Sequence, residues 1–249
     1  MLKRIFITLL LGFAALAATA GPNVPATIKL CANHWEPFTG ADLPNQGVAT
    51  EIVVTALTRA GYQVEVSFMP WSRALTQAYY GQSDGVVGIW ATRQRHERLL
   101  FSDSYMDNAL YLVYLRPELS ANAGIDKLAG MRIGVGRDYD YSDGFLERNR
   151  KQLEPVDRIK QNLLKLQLGR IDMMLEDKYA VQYMVGRYPG EYRALPPLKY
   201  SADPVLKLPL HFGIRRDHPQ ANDIIAAFNL QLKTMKKDGS LAAILRKLE

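Results

Sequence analysis

The 249-residue chain exceeds the roughly 150 residues of an average domain, so it allows one large domain or two modest ones. With 48% hydrophobic and 22% charged residues, its composition excludes a disordered tail, a collagen-like rod and a disulfide-dense mini-protein. The formal net charge of +6 comes from basic residues scattered among acids, and the densest cluster (Arg93, Arg95, Arg98) contains Glu97, which points to a solvated surface and away from nucleic acid.

Lys3 and Arg4 precede an apolar run over 5–18 that is too short to span a bilayer, and Ala18-Thr19-Ala20 carries the small-x-small pattern of a signal-peptidase site. Cleavage after Ala20 is expected, with 1–20 a signal peptide and the mature chain soluble and exported to the periplasm. The alternative is an uncleaved anchor. Cleavage lowers the net charge from +6 to +4, because no acidic residue leaves with Lys3 and Arg4. The only cysteine, Cys31, follows Ile28-Lys29-Leu30, and the charged Lys29 spoils a lipid-attachment pattern. A lone cysteine closes no internal disulfide, so Cys31 reads as a small buried hydrophobe.

Residues 28–31 begin a strand that Pro37 ends. A helix is expected over 50–60, with Ile52, Val53, Ala56, Leu57 and Ala60 on one face, Gly61 as its stop and an alternating strand over 62–68. Helical spacing returns over 70–80, Gly81 stops it, and 84–89 reads as a buried strand. This order implies a parallel α/β sheet. The pattern then restarts: a short strand over 131–135, the end of a helix over 163–168 stopped by Gly169, and a buried strand over 171–175. Gly81-Gln-Ser-Asp84 and Gly169-Arg-Ile-Asp172 are therefore matching punctuation in two α/β units. Two lobes follow, 21–108 with 200–249 and 109–199, with 105–115 and 196–210 as the crossings. The amphipathic helix expected over 222–235 (Ile225, Phe228, Leu232, Met235) returns to the first lobe.

Ligands of open parallel sheets sit beyond the carboxyl ends of the strands, and two facing sheets make a cleft. The residues just after the apolar runs are Trp35, Trp71, Trp90, Thr92, Arg95, the turn 136–139, Glu176 and Asp177. All three tryptophans of the chain fall at these exits; they either line a ligand site or fill the edge of the core.

At these residues the chain resembles the family-3 periplasmic solute-binding proteins, receptors of polar amino-acid ABC importers. The resemblance runs over nearly the whole mature chain, through Trp35-Glu-Pro-Phe38, Gly81-Gln-Ser-Asp84-Gly85, Thr92-Arg-Gln-Arg95 and Phe101-Ser102-Asp103-Ser-Tyr105. It continues through Gly169-Arg-Ile-Asp172, Glu176-Asp177, Phe212-Gly213-Ile214-Arg215 and Lys237-Asp238-Gly239. Their order and spacing carry the likeness. It implies an α/β, type II periplasmic-binding-protein fold: two lobes, each a sheet with helices, joined by two hinge crossings.

The resemblance further implies that Arg95 matches the arginine gripping the ligand carboxylate, that Asp177 matches the acid receiving the ammonium, and that Trp35 and Trp71 are aromatic walls. A zwitterion leaving water needs a cation and an anion supplied together, and a guanidinium adds bidentate geometry. With Arg95 in one lobe and Asp177 in the other, a bridging ligand favours the closed form. An ordinary surface pair or a helix cap is the plainer reading of the same two residues.

The chain also departs from the family pattern. Gly88 and Trp90 stand where small hydroxyl residues are frequent, leaving only Thr92, and the second-lobe turn reads Gly136-Arg137-Asp138-Tyr139. That turn either adds ligand contacts through Arg137, Asp138 and Tyr139 or marks a ligand that is no ordinary amino acid. Arg73 either reads a second anionic group or is solvated on its helix. Glu176 either favours a cationic side chain or, by strand alternation, points away.

Other signals are weak. Gly134-Val-Gly136 lacks the third glycine of a dinucleotide fingerprint. Asp138, Asp140, Ser142 and Asp143 imitate a calcium loop, but its glycine is displaced to Gly144 and Asn149 stands at the closing position. His34, His96, His211 and His218 have no metal-ligand spacing, and no nucleophile elbow is present. No cofactor, metal or nucleic acid is expected. The reading is a monomeric, non-enzymatic receptor presenting an amino-acid-like ligand to an inner-membrane ABC permease. Its rivals are an enzyme on the same scaffold, similar to cyclohexadienyl dehydratase with Glu176 or Glu36 as general acid, and a sensory module.

Overall fold

A computed structural model describes residues 26–116, 130–141 and 143–248. The expected signal peptide, and Ser142 of the calcium-like run, lie outside the described residues. The first lobe opens with β1 (Thr27–Ala32), α1 (Val48–Arg59), β2 (Gln63–Phe68), α2 (Trp71–Tyr79) and β3 (Gly85–Trp90). Strand β1 pairs in parallel with both β2 and β3. The helical spacing read from the sequence is the buried face of α1: Ile52, Val53, Ala56 and Leu57 are all fully buried. Cys31 is buried at the end of β1, and its Sγ donates to Gln77 Oε1 at 3.3 Å.

After the short α3 (Arg93–His96) and β4 (Leu99–Phe101), the long β5 (Met106–Tyr114) leaves the first lobe. The second lobe holds β6 (Ile133–Gly136), α4 (Asp143–Asn149), β7 (Leu153–Val156), α5 (Ile159–Gln167), β8 (Met173–Asp177), α6 (Lys178–Arg187) and β9 (Lys199–Tyr200). The return runs through β10 (Leu206–Arg215), α7 (Ala221–Lys237) and α8 (Ser240–Leu245).

Strand order is β2-β1-β3-β10-β5-β8-β6-β7. Two parallel three-stranded sets are thus joined through two antiparallel strands, and the sheets foreseen as separate form one ladder. Strand β5 pairs with β10 at Met106 to Leu110 and with β8 at Leu110 to Val113. Strand β10 repeats the arrangement, pairing with β5 from Leu206 and with β3 from Leu210 onward. Pro209 lies in the stretch paired with β5 alone, where a missing N–H is tolerated. Within the stretch 196–210, Lys199 and Tyr200 pair with the far end of β5, and β10 passes from β5 to β3 at Leu210.

The β3–β10 contact demands glycine. A Cβ on Gly85 would stand 2.1 Å from the Gly213 carbonyl oxygen, so only a bare backbone lets β10 leave the first lobe at this register. On the other face, α7 packs on α1, β4 and β10. Its stripe is Ile224, Phe228, Leu232 and Met235, all buried, with Ile225 half-buried beside them. The Phe228 ring lies 5.2 Å from Phe212 of β10 and 6.4 Å from Tyr105. Truncation there leaves a cavity under the crossing strand. Phe228→Ala is expected to lower unfolding free energy by about 3–5 kcal/mol, measured by urea titration of the far-ultraviolet signal. An unchanged midpoint would contradict this placement of α7.

Candidate ligand-binding cleft

The first wall is built from strand exits. Asn33 and Trp35 follow β1, Trp71 opens α2, Trp90 ends β3 and Arg95 sits on α3; each is less than 9% exposed. Burying an indole ring is favourable, but its N–H then needs an acceptor. Trp90 Nε1 donates to Asn108 Oδ1 at 3.1 Å on β5. The other two indoles reach the second lobe, Trp35 Nε1 to Glu176 Oε1 at 3.2 Å and Trp71 Nε1 to the Asp138 carbonyl at 3.1 Å.

Arg95 is 4% exposed, yet no carboxylate lies within ion-pairing distance of it among the described residues. Its guanidinium donates to the Trp90 carbonyl at 3.0 Å and to the Asp138 carbonyl at 3.2 Å, and lies 5.5 Å from the centre of the Trp71 ring. Burial lowers its pKa, with Asp140 and Tyr79 acting in the opposite sense. A buried cation whose direct partners are neutral dipoles, with its nearest carboxylate beyond ion-pairing distance, retains part of its desolvation penalty.

The second wall carries the complementary charge. Glu176 and Asp177 close β8, 5% and 2% exposed, and neither is ion-paired among the described residues. Glu176 Oε1 accepts from Trp35 Nε1 and, at 2.9 Å, from the Asp177 backbone N–H. Asp177 Oδ1 caps α6 through Tyr179 N at 2.8 Å and Ala180 N at 3.4 Å, while Oδ2 faces Asn108 Nδ2 at 3.5 Å. Burial pushes Glu176 up to about 7 and Asp177 up to about 6, hydrogen bonds opposing the rise in both. Strand alternation would turn these two neighbours to opposite faces. Asp177 instead ends the strand and begins a helix, and Glu176 curls back over that end towards Trp35.

Between the walls lies the turn after β6. Asp138 adopts a left-handed conformation (φ +56), tolerated by aspartate better than by bulkier residues. Its carboxylate accepts from Ser72 Oγ of α2. The next residue, Tyr139, places its ring 5.5 to 6.4 Å from Trp90, Trp71 and Trp35, nearly perpendicular to each, and its hydroxyl accepts from Asn33 Nδ2 at 2.8 Å. Gly136 leaves room for this ring: a Cβ there would meet it at 2.7 Å. The remaining cavity, lined by Asn33, the tryptophans, Arg95 and Tyr139, is about 20 Å³, roughly enough for one water molecule.

Of the residues singled out in the sequence, Trp35, Trp71, Trp90, Arg95 and Tyr139 line this cavity. Asp138 reaches Arg95 through its carbonyl, and Asp177 sits deeper behind Asn108. Thr92 is half-buried at an adjoining depression, its Oγ1 buried without a hydrogen-bond partner among the described residues. Arg73 is exposed on α2. Arg137 turns away to pair with Asp157 at 2.8 Å. Sequence reasoning passed over Asn33 and Asn108. The strand-exit rule extends naturally to Asn33, and an asparagine at the head of an apolar crossing strand is itself a signal for Asn108.

Among the described residues no group of three or more metal-ligating side chains occurs, and no helix is long and apolar enough to cross a membrane. The chain is 24% identical over 225 residues to the L-cystine-binding protein TcyA of Bacillus subtilis (strain 168), covering 86% of this chain and 77% of that protein. Its fold matches a histidine kinase sensor domain similar to periplasmic binding proteins with a TM-score of 0.79 and 21% identity, over 90% of this chain and 96% of that one. An ancestral amino-acid-binding protein, described as a precursor of cyclohexadienyl dehydratase, matches with a TM-score of 0.71 and 21% identity, over 90% and 95% of the two chains. These likenesses give the two-lobed periplasmic-binding-protein fold. The model of the bacterial extracellular solute-binding proteins, family 3, matches residues 28–248, and the chain belongs to that family.

Proposed function

We propose that the protein is a periplasmic receptor that closes two lobes, joined through β5 and β10, around an amino-acid-like zwitterion. The captured solute passes to an ABC permease of the inner membrane, the receptor acting as a monomer exported by its cleaved leader. One observation carries the reading: a buried guanidinium and two buried carboxylates, without ion-pair partners among the described residues, occupy opposite walls of one cleft. A zwitterion supplies the missing partner to both at once, its carboxylate to Arg95 and its ammonium to Asp177 and Glu176. The tryptophans enclose its side chain. Kinship with an L-cystine-binding protein supports an amino acid as the solute class.

The pKa shifts support the same reading. Unfolded, Glu176 and Asp177 ionise near their ordinary values of 4.5 and 3.8; folded, they hold their protons to about 7 and about 6. Between about pH 4 and 7 the native state thus binds more protons than the unfolded state, so these groups lower stability progressively as pH rises through that window. An ammonium placed beside them offsets that loss. A second reading has its own support: Glu176 at about 7 is poised as a general acid, and one fold relative is described as a dehydratase precursor. Turnover separates the two readings, since mass analysis after incubation at catalytic protein ratios finds a receptor's ligand unchanged.

In calorimetry across the proteinogenic L-amino acids and L-cystine, Arg95→Gln and Asp177→Asn are each expected to cost about 2–5 kcal/mol of binding, because each leaves one pole of the ligand unpaired. The asparagine retains the α6 cap. Wild-type affinity in either variant contradicts the assignment. In thermal unfolding without ligand, wild type should lose stability between pH 5 and pH 8. Glu176→Gln, which still accepts from Trp35, should lose about 1–3 kcal/mol less. Parallel pH profiles would mean that Glu176 ionises as freely in the fold as in water.

A further inference from the structure

The contacts of the turn after β6 have the form of ligand contacts. Arg95 donates to the Asp138 carbonyl oxygen, the acceptor position that the proposed function gives to a solute carboxylate. The Tyr139 ring stands among Trp35, Trp71 and Trp90, where a solute side chain would stand, and its hydroxyl is held by Asn33. Ser72 binds the Asp138 carboxylate, and Trp71 shares the Asp138 carbonyl with Arg95. Every one of these partners belongs to the first lobe, whereas Asp138 and Tyr139 belong to the second. The residual cavity of about 20 Å³ is far below the roughly 300 Å³ at which small-molecule pockets begin.

We propose that Asp138–Tyr139 is a tethered surrogate ligand: it holds the lobes shut when no solute is bound, and a solute enters only by displacing it from Arg95 and the tryptophan cage. The identity of the displaced site rests on the solute-receptor reading; the internal closure does not. Local geometry is set for the task. The left-handed backbone at Asp138 aims its carbonyl and the following side chain into the same cleft, and glycine at 136 clears the path of the ring. Because the solute-competent state is only a fraction of the population, apparent affinity is reduced by that fraction. Tyr139 thereby sets the solute concentration at which the receptor fills.

The test compares full-length mature wild type with Tyr139→Ala and Tyr139→Phe by small-angle X-ray scattering and by acrylamide quenching. All three tryptophans of the chain line the cage, so quenching reports its opening directly. Without added solute, wild type should scatter as the closed form with shielded tryptophans. Tyr139→Ala should show a larger maximum dimension and greater quenching, and Tyr139→Phe, lacking the bond to Asn33, should fall between. In calorimetry with the proteinogenic L-amino acids and L-cystine, Tyr139→Ala should bind the selected amino acid at least about tenfold more tightly than wild type. Weaker binding by Tyr139→Ala would make Tyr139 an ordinary wall of the site and overturn the proposal. So would an open, quenchable wild type, an outcome that decides the matter even if the alanine variant fails to fold. Opening of Tyr139→Ala without binding of any amino acid would overturn the solute-receptor reading while upholding the internal closure.

Discussion

The cleft is governed by one electrostatic constraint: charges of opposite sign are buried on facing walls without being paired to each other. Arg95 has two carbonyls and an aromatic face; Glu176 and Asp177 have an indole N–H, backbone N–H groups and an asparagine. Such dipoles recover only part of the hydration that each charge gives up. The acids answer by holding their protons to higher pH, an option that a guanidinium lacks at physiological pH. Arg95 therefore remains the fixed charge around which the rest of the site is arranged. The fold supplies the rigidity this requires. Parallel strands in both lobes direct their carboxyl ends at the same gap, and the antiparallel β5 and β10 carry the two sets into one ladder.

Much of this frame was legible in the sequence because it follows from periodicity. The buried face of α1, the run before Trp90 and the strand before Glu176 each show the spacing that burial on one or both faces imposes. The glycines at 81 and 169 end helices with positive φ and mark the two units. Elements whose origin is tertiary were not visible. Helix α6 is capped by Asp177, the last residue of the preceding strand, so its start was hidden within the apolar run and its exit. The pairing that fuses the two sheets depends on Gly85 meeting Gly213 across more than a hundred residues of chain.

The candidate site divides in the same way. Strand-exit logic finds Arg95 and the tryptophans because their positions are fixed by element boundaries. It says nothing about direction, and the turn 136–139 shows why that matters. Arg137, the obvious charge, leaves the cleft for Asp157, while Asp138 contributes a backbone carbonyl and Tyr139 a ring. A left-handed residue that is not glycine sets these directions, and no composition or spacing rule anticipates it. Asn108 was hidden for another reason: its polar side chain lies inside an apolar strand, fully buried between Trp90 and Asp177.

The indole N–H groups tie the two walls of the cleft together. Trp35 and Trp71 donate directly across the gap, and Trp90 does so through Asn108 to Asp177. Together with the bonds from Asn33, Ser72 and Arg95, they form a set of polar latches between two apolar surfaces. In water each latch has a ready substitute, so each contributes only about 0.5–1.5 kcal/mol net; under the proposed receptor reading, the six of these bonds that cross the gap would set closed and open forms roughly 3–9 kcal/mol apart before solvent and chain entropy oppose them. That range is the one in which differential contacts made by a small ligand redistribute a two-state population. An apolar seam of the same area would be insensitive to a zwitterion; a seam of hydrogen bonds converging on a buried guanidinium responds to anything that offers that guanidinium a better acceptor.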